Sequence, residues 1–95
     1  MTVSRETAQL DNLALALGFV TNFDVAVDAG ANIGLWSSVM TEHFNTVLAF
    51  EPGADIFKQL HQLEASHHNL HCFDSAVYRY KGSKRHGFSV RLVRD

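Results

Sequence analysis

The fold of this chain is decided by the segment Val25-Ala26-Val27-Asp28-Ala29-Gly30-Ala31-Asn32-Ile33-Gly34. Its apolar start has no polar alternation, which is typical of a parallel strand covered on both faces. The strand ends in an acid, Asp28, and a turn with two glycines follows. Glycines let a backbone approach a ligand closely, and a helix N-terminus after the turn offers N–H groups. The segment therefore predicts a ligand-binding strand, turn and helix.

A second apolar strand, Thr46 to Phe50, also ends in an acid, Glu51, which Pro52 follows. An ionised carboxylate only accepts hydrogen bonds, so it can take both hydroxyl protons of a ribose diol. Two strand ends of this kind, one with a glycine turn and one with an acid, predict a site for an adenosine-containing cofactor.

The spacing of the glycines distinguishes between two such cofactors. Dinucleotide-binding folds carry G-x-G-x-x-G, whereas this chain has Gly30-x-x-x-Gly34 with Asn32 where a middle glycine would fall. A carboxylate at Asp28 would repel a pyrophosphate and attract the ammonium group of a methionine moiety. The pattern favours S-adenosylmethionine over NAD.

Asp28-Ala29-Gly30-Ala31-Asn32-Ile33-Gly34, followed by Ala49-Phe50-Glu51-Pro52, resembles the first two motifs of the FkbM-type class I methyltransferases, over about residues 24–78. In that family the glycine turn wraps the methionine end of the cofactor and the acid after the second strand holds the ribose. Residues at the end of the third strand contact the adenine. The resemblance implies these cofactor-binding residues: Asp28, Gly30, Ala31, Asn32, Gly34, Glu51, Pro52, Asp74, Ser75 and Ala76. This chain departs from the family pattern at Gly53-Ala54, where family members often have a second proline after the Glu-Pro pair.

The length of 95 residues limits the chain to one domain with a small core. The resemblance and the strand pattern predict an α/β fold, a truncated Rossmann-like half-sheet. It has about three parallel strands with flanking helices and an antiparallel C-terminal edge strand. We expect three parts: an N-terminal helix in residues 1–23, a cofactor cradle in 24–78 and a basic hairpin tail in 79–95.

Helical spacing predicts a first helix that contains Leu10, Leu13 and Leu17 and ends at Gly18. The pattern predicts further helices over residues 33–44 and 54–66, the first with an apolar stripe that begins at Ile33. A third strand is predicted over residues 70–78. The alternation of Phe88, Val90 and Leu92 with polar residues predicts a last strand in a hairpin with the third.

Composition excludes several classes of protein. Hydrophobic residues make up 46% and charged residues 19%, as in a folded globular chain. No run approaches a membrane span and the N-terminus has no signal-peptide pattern, so a cytoplasmic location is expected. One cysteine argues against a disulfide framework.

Charge is unevenly distributed along the chain. Residues 1–77 carry two basic residues against nine acidic ones, whereas residues 78–95 carry six against one. The tail is either a solvated hairpin that protects a sheet edge or a self-association element. Nucleic acid binding is not expected at a net charge of −2.

The other side chains that could react or bind a metal are expected to have structural roles only. Cys72 is expected to be a small buried hydrophobe, and Ser37 and Ser38 to be ordinary polar residues of a first helical turn. The histidines have no zinc-motif spacing, so no metal site is predicted. No general base or other catalytic residue can be named.

A truncated sheet of this class would expose the apolar edge of strand one. We therefore expect a homodimer through that edge, or a partner chain that supplies the missing half. The leading function is cofactor binding in a methyltransferase-like module, which as an enzyme would act chiefly by proximity and orientation. The alternatives are a non-catalytic cofactor-binding or scaffold module and an interaction protein whose cradle is empty.

Overall fold

The computed structural model describes residues 5–76 and 90–93. Within these ranges three helices alternate with the first three strands, a short 3-10 turn lies over Leu63–Ala65, and a fourth strand comes last. The elements are α1 (Arg5–Leu17), β1 (Val25–Ala29), α2 (Leu35–Met40), β2 (Thr46–Phe50), α3 (Ala54–Gln62), β3 (Leu70–Phe73) and β4 (Val90–Val93).

The four strands form one parallel sheet in the order β3-β2-β1-β4. In its register Ala29 lies opposite Phe50, and Phe50 lies opposite Phe73, so three strands end at the same level. The loops after these strands therefore share one edge of the sheet. The predicted α/β half-sheet of three parallel strands with flanking helices is confirmed.

The predicted direction and partner of the last strand are wrong. Val90–Val93 pairs in parallel with β1, with Asp28 opposite Leu92, and does not form an antiparallel hairpin with β3. β1 is consequently an inner strand, and the exposed strand-one edge that we expected is covered by the same chain. The rest of the predicted basic tail lies outside the described residues.

The core lies on one face of the sheet. Alternate strand residues such as Ala26, Val47 and Leu70 point to this face, where the three described helices contribute Leu13, Met40 and Leu60. Val27, Leu48 and Phe50 alternate to the opposite face, where Phe50 stacks on Phe73 with ring centroids 4.8 Å apart. No helix of residues 5–76 packs on that second face.

The end of α1 follows the prediction closely. The N–H of Gly18 donates to the carbonyl oxygens of Ala14 and Leu15, and Leu13 is buried in the core. No helix in the described ranges is long and apolar enough to cross a membrane.

The second helix is shorter than the apolar stripe indicated. It ends at Met40 because the side-chain amide of Asn69 donates to the carbonyl oxygens of Thr41 and Phe44, which a longer helix would use internally. Ile33 precedes the helix and is 47% exposed, so its place in a core-facing stripe is wrong. β3 ends at Phe73, well before the predicted limit, because the chain bends at residues 74 and 75.

Candidate functional site

The turn after β1 alternates between left-handed and ordinary backbone. Gly30, Asn32 and Gly34 have φ angles of 71°, 58° and 93°. Glycine adopts this region without steric cost, and asparagine is among the few other residues that tolerate it. Ala31 lies between them and is fully buried. The spacing Gly-x-Asn-x-Gly therefore supplies one tolerant residue at every left-handed position of the turn.

Most backbone amides of this turn donate to acceptors within the protein. The N–H groups of Gly30 and Ala31 both donate to the carbonyl oxygen of Phe50, each at 2.9 Å. The Gly34 N–H donates to the Ala31 carbonyl at 3.0 Å, and the Asn32 N–H donates to Glu51. These four amides are therefore engaged within the protein: those of Gly30 and Ala31 tie the turn to β2, that of Asn32 ties it to Glu51, and that of Gly34 closes the turn on itself.

Glu51 is held at the tip of β2 from three directions. Its backbone N–H donates to the carbonyl oxygen of Phe73 on β3 at 3.0 Å. Carboxylate oxygen Oε1 accepts from the Asn32 N–H at 2.8 Å, and Oε2 accepts from the Gly53 N–H at 2.9 Å. The half-buried carboxylate therefore bridges the loop after β1 and the loop after β2.

Asp28 lies beneath the turn, with an exposed fraction of 0%. Its Oδ2 accepts a hydrogen bond of 2.7 Å from the hydroxyl of Ser37, which is equally buried. This bond joins β1 to α2 and so anchors both ends of the turn. The sequence did not distinguish Ser37 from Ser38, whose hydroxyl donates to the Leu35 carbonyl within α2.

The remaining predicted site residues lie at the same edge of the sheet with different exposures. Pro52 is exposed beside Glu51, and the segment Asp74–Ala76 follows β3, on the far side of β2 from the turn. Within that segment only Ser75 is partly buried.

Sequence analysis did not identify three exposed apolar residues near this edge as site candidates. They are Ile33 in the turn, Ile56 in the first turn of α3 and Phe73 at the end of β3, with exposed fractions of 47%, 37% and 42%. Large exposed apolar side chains can mark a binding surface.

The side chains with reactive potential have structural partners. Among residues 5–76 and 90–93, no group of three or more His, Cys, Asp or Glu residues is arranged to hold a metal ion. His61 pairs with Glu64 at 3.3 Å, and Glu64 also accepts from the Cys72 N–H. Burial, together with the charge of Glu64, raises the pKa of the Cys72 thiol to about 12. The thiol is therefore protonated at neutral pH and is a poor nucleophile.

Together, the parallel order of the strands, the glycine turn after β1 and the acid after β2 define a Rossmann-like half-sheet. No protein-family model matches the sequence, and a search of curated proteins finds no match.

Solved structures share this fold. A 23S rRNA methyltransferase, ErmE, superposes with a TM-score of 0.60 at 16% identity over 77% of this chain and 29% of its own. Phosphoethanolamine N-methyltransferase 1 of Haemonchus contortus, solved with phosphoethanolamine and S-adenosylhomocysteine, gives 0.56 at 22% identity over 72% of this chain and 16% of its own.

A precorrin-8W decarboxylase of Methanobacterium thermoautotrophicum also gives 0.56, at 17% identity over 79% of this chain and 40% of its own. The chain thus spans less than half the length of each of these three proteins. The likeness establishes the fold of the half-sheet.

Proposed function

We propose that this chain binds S-adenosylmethionine through the turn from Asp28 to Gly34 and through Glu51, as the cofactor half of a methyltransferase-like protein. The position of Glu51 carries the proposal. Its carboxylate is fixed at the tip of β2, beside the turn after β1. Each carboxylate oxygen can accept more than one hydrogen bond, so the pair can also accept from two vicinal hydroxyl groups.

The bonding of the turn supports a cofactor without phosphate groups. A pyrophosphate is usually bound by free N–H groups at a glycine turn and a helix N-terminus. Here four amides of the turn are bound to protein acceptors, and α2 is only six residues long. Asp28 is fully buried below the turn, where an ionised carboxylate would favour a cationic ligand over an anionic one.

Ile33, Ile56 and Phe73 are exposed apolar residues after β1, in α3 and at the end of β3, and would offer apolar surface to a planar base. The segment Asp74–Ala76 follows Phe73 and would offer polar groups for the rim of the adenine. Membership of the FkbM family is part of this proposal and rests on the two sequence motifs.

If the protein is an enzyme, the bound cofactor supplies an electrophilic methyl group on its sulfonium. The residues of this chain would hold the ribose and the methionine end and so fix the direction of the methyl group. Such positioning accelerates transfer by converting an encounter in solution into a reaction within one complex. The described residues around the cradle present no free general base, so the acceptor side would have to provide it.

Calorimetric titration of the full chain tests the proposal. We expect S-adenosylmethionine and S-adenosylhomocysteine to bind with dissociation constants of about 1–100 µM, a range typical of cofactors that proteins bind reversibly. NAD, which carries the same adenosine and a pyrophosphate, should produce no heat. Equal binding of NAD, or no binding of either sulfur compound, would contradict the proposal.

The alternative is a non-catalytic cofactor-binding or scaffold module that acts through homodimerisation or a partner chain. The sheet favours it in one respect: the second face, with Leu48 and Phe50, carries no helix among residues 5–76. Because β4 covers β1, a second chain would pack on that face or pair with the edge strand β3.

Sedimentation of the purified chain tests this alternative. At tens of micromolar we expect a dimer if two copies pack through the second face or through β3. A monomer that binds the cofactor and has no methyl-transfer activity would leave a partner chain as the remaining form of the alternative. A monomer that transfers methyl groups unaided would exclude it.

A further inference from the structure

Asn32 is expected from its family resemblance to touch the cofactor, but its described contact is with another site residue. Its backbone N–H donates to Glu51 Oε1 at 2.8 Å, and its side chain is exposed. The residue has a φ of 58°, which sets the angle between this N–H and the chain that follows it. With a residue restricted to negative φ, the turn could not keep both its path and the bond to Glu51.

The second donor to the carboxylate is independent of the turn. The Gly53 N–H donates to Oε2 at 2.9 Å, two residues beyond Glu51 in the chain. The bond from Gly53 holds only one carboxylate oxygen and comes from a neighbouring residue. With this bond alone, the carboxylate could still rotate about the last torsion of the Glu51 side chain. The bond from Asn32 comes from 19 residues away and fixes the second oxygen. Together the two amides define the plane of the carboxylate.

We infer that Asn32 is a positioning residue that acts through Glu51: its left-handed backbone aims an N–H that orients the carboxylate for a vicinal diol. The inference rests on the proposed function, because the diol is that of the cofactor ribose. It assigns the asparagine side chain the role of permitting the backbone conformation, since only glycine and asparagine adopt it at low cost.

A double-mutant cycle on the full chain tests this role, with S-adenosylhomocysteine as the probe. Asn32→Val disfavours positive φ and should weaken binding by roughly ten- to a hundredfold, the effect of losing one hydrogen bond to a charged group. Asn32→Gly keeps both the φ angle and the N–H and should restore most of the affinity. Asn12→Val, an exposed position on α1, is the matched control and should leave binding unchanged.

The combination with Glu51→Ala separates an indirect role from a direct contact. If Asn32 acts through Glu51, adding Asn32→Val to Glu51→Ala should cause no further loss of affinity. The preference for S-adenosylhomocysteine over its 3′-deoxy analogue should also decrease in Asn32→Val. Additive losses, or an unchanged preference for the diol, would overturn the inference and leave the proposed function standing.

Amide hydrogen exchange gives a readout that needs no ligand. Glu51→Ala should accelerate exchange at both Asn32 and Gly53, whereas Asn12→Val should change neither. If the wild-type chain binds no adenosine compound, the proposed function fails. The ribose diol is then also excluded as the group for which Glu51 is oriented. Acceleration at Asn32 in that case would still support the orientation of Glu51 by Asn32, and unchanged exchange would overturn it.

Discussion

Replacing Gly34 with alanine is expected to lower the free energy of unfolding of the full chain by about 2–4 kcal/mol, from backbone strain and overpacking together. The φ angle of 93° lies in a region that side chains with a β-carbon rarely adopt. An added Cβ would also lie 2.4 Å from Leu63 Cδ1 and 2.9 Å from Leu60 Cδ1. Leu60 is fully buried in the core and cannot move aside without disturbing its neighbours, whereas Leu63 is partly buried and has more room. Urea unfolding monitored by circular dichroism measures the change.

Two further variants distinguish the causes of this loss. Gly18→Ala is the control for a glycine outside the left-handed region, because its added Cβ would approach no atom closer than 3.3 Å. It should change stability by less than about 1 kcal/mol. Adding Leu63→Ala to Gly34→Ala should cost less than the sum of the two single changes, because the clash is relieved. A Gly34→Ala chain as stable as the Gly18→Ala chain would contradict the assigned packing.

The strand, turn and helix that begin at Val25 were predictable because the evidence for them is local. An apolar run of strand length, a glycine turn and an acid each reflect the conformation of neighbouring residues. The same holds for β2 and for the position of Glu51, since parallel strands end at a common edge. These features place the candidate site without knowledge of the rest of the sheet.

The pairing of β4 was not predictable in this way. The alternation of Val90 and Leu92 with polar neighbours reads the same in both chain directions, so it indicates a strand but not its orientation. The partner was also ambiguous, because a hairpin with β3 requires only a short connection. In the structure the strand pairs in parallel with β1, which lies far away in the sequence.

The bonding inside the site depended on contacts between distant residues. The amides of Gly30 and Ala31 point to the Phe50 carbonyl, 19 or more residues along the chain. Whether Ser37 or Ser38 faces the sheet depends on the exact start of α2, and sequence patterns locate helix ends only to within a few residues. The list of predicted site residues therefore gave no indication of which residues bond to each other within the protein.

Removing the hydroxyl of Ser37 is expected to cost about 1–3 kcal/mol of stability, because a hydrogen bond to a buried carboxylate is lost. The Ser37 hydroxyl donates to Asp28 Oδ2 at 2.7 Å, and both side chains have an exposed fraction of 0%. Water cannot replace this donor without opening the core between β1 and α2. Ser37→Ala should therefore shift the urea midpoint to a lower concentration.

The adjacent serine provides a matched control for this prediction. The Ser38 hydroxyl donates at 3.0 Å to the Leu35 carbonyl, an acceptor within the same helix, and the side chain is partly exposed. Ser38→Ala should change stability by less than about 0.5 kcal/mol, because alanine also favours the helix. Asp28→Asn removes the charge but keeps an acceptor, so the cost of Ser37→Ala should be smaller in that background. Equal costs for the two serines would show that the bond between Ser37 and Asp28 does not anchor the turn. A larger cost at Ser37 alone would show that the bond between Ser37 and Asp28 holds α2 on β1 beneath the turn.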